Sequence, residues 1–381
     1  TGKIVVHGIK CNDKDDSEFE TFKAAYDALK PVVASVCDTN SVADGLGQES
    51  AKSAEAFKSV FTDVDSNGNA TITYKISGNV TYDERSCANL LTMGRKSSHY
   101  NADNQRLHLI NFKFIGEDAN RGATLTVNSD ITLPYEWWGE NTTTAISFEN
   151  LTITGSAPNG LYPYQKFFEG ISFSVNNCTL KGIKIYNCSN VGGSYSITNS
   201  TLDGTGAPGN AYAIHLQGNE TAPLTITISS NEISGYDRGV NIDQKTAQAT
   251  VSENKISIKD AGRSCIQLTQ LKTTTVRGNT MNLTGGNAIT LHENLLTSAV
   301  PAVIISNNTI TGTGYLIYDD AKANNKTFNS YNLKLTMNGN TVASTVNTTQ
   351  GVKNGTVYGT SDVVTGQVSA GVTVQQSTGG Y

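Results

Sequence analysis

Acid–base chemistry and ligand stacking need carboxylates, imidazoles or aromatic faces near one another, and this chain spaces few such residues closely. The densest set is His215 with the run Asp237-Arg-Gly-Val-Asn-Ile-Asp243, followed later by His292-Glu293. Asp237 and Asp243 are candidate acid/base carboxylates, with Arg238 and His215 as their basic partners. His292-Glu293-Asn294 lacks the second His that a helical zinc-protease motif requires. Asp319-Asp320 would suit inverting hydrolysis only if another carboxylate faced it across roughly 6.5–9.5 Å. Asp63-Val-Asp65-Ser-Asn67-Gly-Asn begins like a calcium loop, so Asp63, Asp65 and Asn67 are the candidate metal ligands; no cofactor is expected, and Ca²⁺ is the one with donors on offer. Position twelve is Tyr74 where Glu is required, and the segment reads as a polar turn. Both tryptophans fall in Tyr135-Glu-Trp137-Trp138, with Tyr162-Pro-Tyr164 further on. Aromatic faces on loops stack on sugar rings, which makes these five residues candidate ligand contacts.

A repeat must position these groups. Eight hexapeptides begin and end on an apolar residue around a polar centre, from Phe148-Glu-Asn-Leu-Thr-Ile153 through Ile228-Ser-Ser-Asn-Glu-Ile233 to Met337-Asn-Gly-Asn-Thr-Val342. Their first residues recur every 22 to 32 positions. An uninterrupted strand would send residues five apart to opposite faces, so the chain must bend between them. The fourth position becomes Asn231, Asn254, Asn279, Asn308 and Asn340 in the last five. Asn tolerates a left-handed corner and bonds neighbouring backbone, and coils stacked at strand spacing would align these amides in a ladder. A second strand precedes each corner: Ala213-Ile-His-Leu, Gly239-Val-Asn-Ile, Cys265-Ile-Gln-Leu and Ala288-Ile-Thr-Leu. Its outward column reads His215, Asn241, Gln267, Thr290, Tyr318, and the next one Gln217, Asp243, Thr269, His292, Asp320. Asn241, Gln267 and His292 are therefore further candidate ligand contacts. Short strands and corners at a steady period describe a solenoid. Paired β-sandwiches are the alternative, and they do not return one corner eight times.

The amino-terminal part differs. Residues 1–105 carry 15 acids and 11 bases, while 106–381, more than twice as long, carry 18 and 17. Phe19, Phe22, Tyr26 and Leu29 at helical spacing predict a helix over 17–30, stopped by Pro31, and a second helix is expected over 48–61. The divisions expected are a helical or mixed cap at 1–70, a parallel β-helix at 71–349, and a Gly/Ser/Thr-rich tail or terminal strand region at 350–381.

Composition excludes some functions. The net charge is −5, with only seven Arg, so a nucleic-acid partner is not expected. No apolar run is long enough to span a membrane. The chain opens directly on a strand-like run, which reads as a mature or trimmed form. Six Cys without CxxC spacing argue against zinc ribbons; they read as buried free thiols, with Cys11–Cys37 and Cys178–Cys188 the nearest pairs for disulfides.

The Asn-bearing corner, the helix and strand Ala70-Thr-Ile-Thr-Tyr-Lys-Ile with its Gly turn, and the rung Leu107–Gly116 together resemble the pectin-lyase-like superfamily, in particular its pectate-lyase-type chains. The resemblance covers about residues 50–345. It implies an all-β fold, a right-handed parallel β-helix with an N-terminal α-helical cap. It also implies a substrate groove over the outward residues of the first sheet. Lyases of that family hold Ca²⁺ with carboxylates and use an Arg base; here Gln244 stands where the family segment has His, and carboxylates are sparse in both columns. Polygalacturonase and pectin-methylesterase motifs are absent.

The expected function is that of an extracellular or cell-surface module, monomeric, that binds a polysaccharide or surface glycan in adhesin-like fashion. The alternatives are a polysaccharide lyase or glycoside hydrolase acting on an acidic polysaccharide, and a structural spacer of a larger surface protein.

Overall fold

The computed structural model describes residues 1–36, 54–82, 110–129, 145–161, 171–189, 193–218, 223–260, 262–292, 302–319, 334–347 and 372–375. They divide into two compact units, Thr1–Thr179 with Cys188–Tyr195, and Leu180–Asn187 with Ser196–Tyr381.

In the first unit, Ala70–Ser77 joins two kinds of pairing. Lys3–His7 lies antiparallel to it, with Ile4 opposite Ile76 and Val6 opposite Tyr74. On its other side Ile110–Gly116 runs parallel, followed by Ala145–Glu149 and Ile171–Asn176. A second parallel ladder is formed by Asn79–Tyr82, Thr124–Val127 and Thr152–Gly155. Alternation sends Tyr74, Phe114 and Phe148 inward at equivalent positions, where their rings lie 5.2 and 5.0 Å apart.

Helix α1, Phe22–Val36, closes over this aromatic column. Thr21 caps it, its Oγ1 accepting the Ala24 N–H at 3.1 Å. Phe22, Ala25, Leu29 and Val33 form its buried stripe, and the Phe22 ring meets Tyr74 and Tyr82 edge-on at 5.6 and 5.7 Å. Two expectations need correction here. Ser17–Phe19 is a strand paired with Lys3–His7, so Phe19 belongs to the sheet. The helix also runs through Pro31 to Val36. Proline removes one backbone bond, but Val33 beyond it is fully buried and holds the last turn in place. The second helix, α2, is described over Ala54–Val60 and buries Phe57 against Phe61.

In the second unit every described ladder is parallel, which excludes the sandwich alternative. One sheet stacks Leu224–Ser229, Ala247–Ser252, Thr273–Arg277, Ala302–Ser306 and Lys334–Asn338. The chain then turns into the short strands Thr201–Asp203, Glu232–Ser234 and Lys255–Ser257. A further row holds Tyr212–Gly218, Arg238–Asp243 and Ser264–Gln270. In the next two coils the short strand and this row merge into the single bent strands Thr280–Leu291 and Thr309–Asp319. Val372–Gln375 pairs in parallel with Asn340–Ala343.

The corner obeys the expected repeat with one shift of role. The left-handed residue is the third of the hexapeptide: Asn150, Asn177, Asn199, Ser230, Glu253, Gly278, Asn307 and Gly339 have φ between 51° and 68°. That turn frees the fourth residue to point into the core. Asn231, Asn254, Asn279, Asn308 and Asn340 are all buried and form the ladder. The Nδ2 of Asn231, Asn254, Asn279 and Asn308 each reaches the Oδ1 of the next Asn at 2.9–3.0 Å. The backbone N–H of the same residues shares that acceptor. The second Nδ2 hydrogen goes to the preceding coil, as from Asn279 to the Val251 carbonyl at 2.8 Å. Cys178 and Ser200 fill the same position earlier, and the Ser200 N–H joins the ladder through Asn231 Oδ1. Cys11, Cys178 and Cys265 are buried free thiols, so neither Cys11–Cys37 nor Cys178–Cys188 is a disulfide. Burial pushes both the Cys178 and the Cys265 thiol up to about 12.

Candidate functional site

The row Tyr212–Gly218, Arg238–Asp243, Ser264–Gln270 and its continuation presents its outward residues in register. His215 pairs with Asn241, Asn241 with Gln267, Gln267 with Thr290 and Thr290 with Tyr318, as the period predicts. The second column departs from expectation. A register shift after Ile242 sets Asp243 opposite Gln270, so Thr269 drops out of that column. Its Oγ1 turns to Asn241 Oδ1 at 2.7 Å and accepts from Gln267 Nε2 at 3.1 Å. A third column lies one step before each apolar strand core, with Tyr212 opposite Arg238 and Ser264 opposite Asn287.

Together these columns wall a cleft of about 200 Å³ lined by Tyr212, Arg238, Gly262, Arg263, Ser264, Gln267, Asn287, Thr290, His292 and Tyr318. Tyr212 is the hub of one end. Its hydroxyl donates to Gln267 Oε1 and accepts from Arg238 Nη1, both at 3.0 Å, while the Arg238 guanidinium lies 5.0 Å over its ring. Arg238 Nε is out of water and has no acceptor. Ser264 and Thr290 hydroxyls bond each other. Arg263 pairs with Asp260 at 3.6 Å. Among the described residues the lining holds two guanidiniums, an imidazole, two phenols, amides and hydroxyls, and no carboxylate.

His215 sits behind this wall. The rings of Tyr186 and Tyr212 flank it at 5.1 and 4.8 Å, and its Nε2 is buried without a partner. Burial, reinforced by the charges of Lys184 and Arg238, lowers its pKa to about 4, so the ring is neutral at ordinary pH. Tyr186 in turn donates to Gln217 Oε1 at 3.3 Å.

The structure therefore gathers Arg238, Gln267 and His292 into one cleft, with Asn241 and His215 immediately beside it. It separates the carboxylates from them. Asp237 turns away from the cleft: its Oδ2 accepts the Asn210 N–H at 2.6 Å and its Oδ1 lies 3.7 Å from Lys259. Asp243 is half-buried one column over and is not part of the lining. Tyr135, Trp137, Trp138, Tyr162, Tyr164, Glu293 and Asp320 lie outside the described residues. The sequence reading missed Tyr212, Arg263, Ser264 and Asn287. For Tyr212, Ser264 and Asn287 the signal was the residue preceding Ala213, Gly239, Cys265 and Ala288, which is polar in all four coils; Arg263 carried none.

At the calcium-like segment, Asp65 Oδ1 accepts the N–H groups of Asn67 and Asn69 at 2.8 and 2.9 Å. That carboxylate fastens the turn, and Tyr74, at the position of the required Glu, is buried in the aromatic core. Asp63 lies on the same turn, where its carbonyl accepts the Thr71 N–H at 2.9 Å. His7, Asp15 and Asp16 lie close enough together to share an ion, and no motif announced them. Asp15 is already committed there, accepting from Gly8 N–H, Asp16 N–H and the Thr62 hydroxyl.

The coils now have a fold class, a corner and a site, and residues 181–378, just over half of the chain, match the family model described as a right-handed β-helix region. The chain belongs to that right-handed β-helix family. No curated protein and no solved structure matches it. No helix among the described residues is long and apolar enough to cross a membrane.

Proposed function

We propose that this chain is a carbohydrate-recognition protein acting outside the cell or at its surface, with the first-sheet cleft as its ligand site. One observation carries the reading: the cleft combines partly exposed planar groups with hydrogen-bonding groups fixed by the coils. Tyr318, Tyr212 and the guanidiniums offer faces to a sugar ring, while Gln267, Ser264, Asn287 and Thr290 offer donors and acceptors at strand spacing. A repeating ligand laid across parallel coils meets a new set of these groups at each step of about 4.8 Å.

The lining favours binding over hydrolysis. Inverting or retaining cleavage needs two facing carboxylates, and the lining described here contains none. A calcium-bridged uronate would need the same oxygen donors.

The test is a polysaccharide-binding screen with plant, host and microbial glycans, run beside an assay for unsaturated or reducing-end products. Binding without product, weakened about tenfold or more by Tyr318→Ala and by Gln267→Ala, is expected. Binding that these variants leave intact would remove the cleft as the site. Product formation lost with either variant would replace recognition by catalysis. Loss on Trp137→Ala or Trp138→Ala instead would move the site to the aromatic segments.

A further inference from the structure

We propose that Arg238 is an anion-selecting residue of the first-sheet cleft, holding a carboxylate or sulfate oxygen of the ligand directly through its guanidinium and without a bridging cation. This rests on the reading of the cleft as the ligand site and specifies the kind of sugar it takes.

The argument starts from charge accounting. Arg238 is half-buried at the cleft wall and forms no ion pair. Asp237, next to it in sequence, binds the Asn210 N–H, and Asp260 pairs with Arg263 of the same lining. What Arg238 does contact is neutral, the Tyr212 hydroxyl at 3.0 Å and the Tyr212 ring at 5.0 Å. Its Nε is buried with no acceptor at all. A half-buried cation with an orphan donor carries a cost, and an incoming anion compensates more than a neutral hydroxyl does. The guanidinium's planar fork matches the paired oxygens of carboxylate or sulfate.

The surroundings point the same way. Arg263, paired with Asp260 at 3.6 Å, stands on the neighbouring coil of the same lining, and the charge of Lys184 reaches His215. These positive groups, with no carboxylate among the described lining residues, repel a metal cation and attract an oxyanion. His215 stays neutral in this field and adds no charge of its own at ordinary pH. The Tyr212 hydroxyl donates onward to Gln267, so the Arg238–Tyr212–Gln267 chain holds the guanidinium in place before ligand arrives.

Ligand-observed NMR titration with glucuronate, glucose 6-sulfate and glucose tests this, each with and without EDTA. Wild-type protein is expected to bind one or both anions and to bind glucose at least about tenfold more weakly. Arg238→Gln should lose that preference, and Arg238→Lys, which keeps charge but not the fork, should fall between. Which anion binds more tightly distinguishes a carboxylated from a sulfated ligand. Equal affinity for glucose and both anions, an undiminished preference in Arg238→Gln, no anion binding to wild type, or anion binding abolished by EDTA would each overturn the proposal. Unfolding midpoints without ligand show whether the variants are folded, and Arg238→Lys provides the reading if Arg238→Gln is not. Glycan recognition fails separately: if Tyr318→Ala leaves polysaccharide binding intact while Arg238→Gln abolishes anion preference, the anion subsite stands and the polymer site lies elsewhere.

Discussion

Two polar columns run along the same coils of the second unit, and their hydrogen bonding differs. In the corner ladder, Asn254, Asn279 and Asn308 use both hydrogens of each amide and an oxygen that accepts twice. In the columns at the cleft, His215 Nε2 behind the wall and Arg238 Nε in it are buried without partners. Both columns are built by the same strand register. The ladder spends its polarity inside the protein, where a satisfied buried amide fixes each coil against the next. The cleft leaves two buried nitrogens unsatisfied.

That contrast makes the ladder the place where substitutions hurt stability most. Asn279→Ala removes the acceptor for the Asn254 N–H and Nδ2, takes one donor from the Val251 carbonyl, and leaves Asn308 Oδ1 with only the backbone N–H of residue 279. A loss of about 3 kcal/mol is expected from urea unfolding, because several buried groups are orphaned at once. Asn340→Ala, which removes three such contacts where Asn279→Ala removes four, should cost somewhat less. A larger loss at Asn340 than at Asn279 would mean that the ladder does not act through its continuity.

The second effect belongs to the cleft column and depends on pH. His215 titrates at about 4 in the folded chain against 6.5 when unfolded, so acid favours the unfolded state. Stability should be level above pH 6.5, fall as pH drops toward 4, and level again below, losing roughly 2–3 kcal/mol through this residue. His215→Gln should remove that part of the slope. An unchanged slope would show that the imidazole is solvated.

Smaller effects sharpen the comparison. Ser230 and Glu253 hold the left-handed corner at φ 58° and 57°, where glycine stands in two other coils. Ser230→Gly should gain about 0.5–1 kcal/mol, since the strain removed exceeds the chain entropy added. Arg238→Met should change stability least, within about 0.5 kcal/mol or slightly upward, because it removes an unpaired charge from a half-buried place. A large loss there would mean that Arg238 supports the coil and is not held for a ligand.

The corner and the first outward column were legible because both repeat with the coil, so each position could be checked against its counterparts. The left-handed residue was assigned one place too late. Asn drew attention at the fourth position, although the Gly at 278 and 339 marked the third. Thr269 was misplaced because a register shift leaves no trace in a period-two pattern. The carboxylates looked promising in the sequence because Asp237 and Asp243 flank a strand. Their side chains leave the cleft, Asp237 to tie down the loop at Asn210. Pro31 read as a stop because local rules see the lost backbone bond and not the burial of Val33.

The ladder also has a direction: each amide hands its hydrogens to the oxygen of the following coil. A coil is then a unit of exchange. Removing residues 255–279 would bring Thr280-Met281 behind Asn254, restoring the Val251-Ser-Glu-Asn-Thr-Met pattern of a corner and returning Asn308 Oδ1 as the acceptor for Asn254. The same excision would take Arg263, Ser264 and Gln267 out of the cleft. Losing one coil would therefore keep the corner pattern while changing which residues wall the cleft.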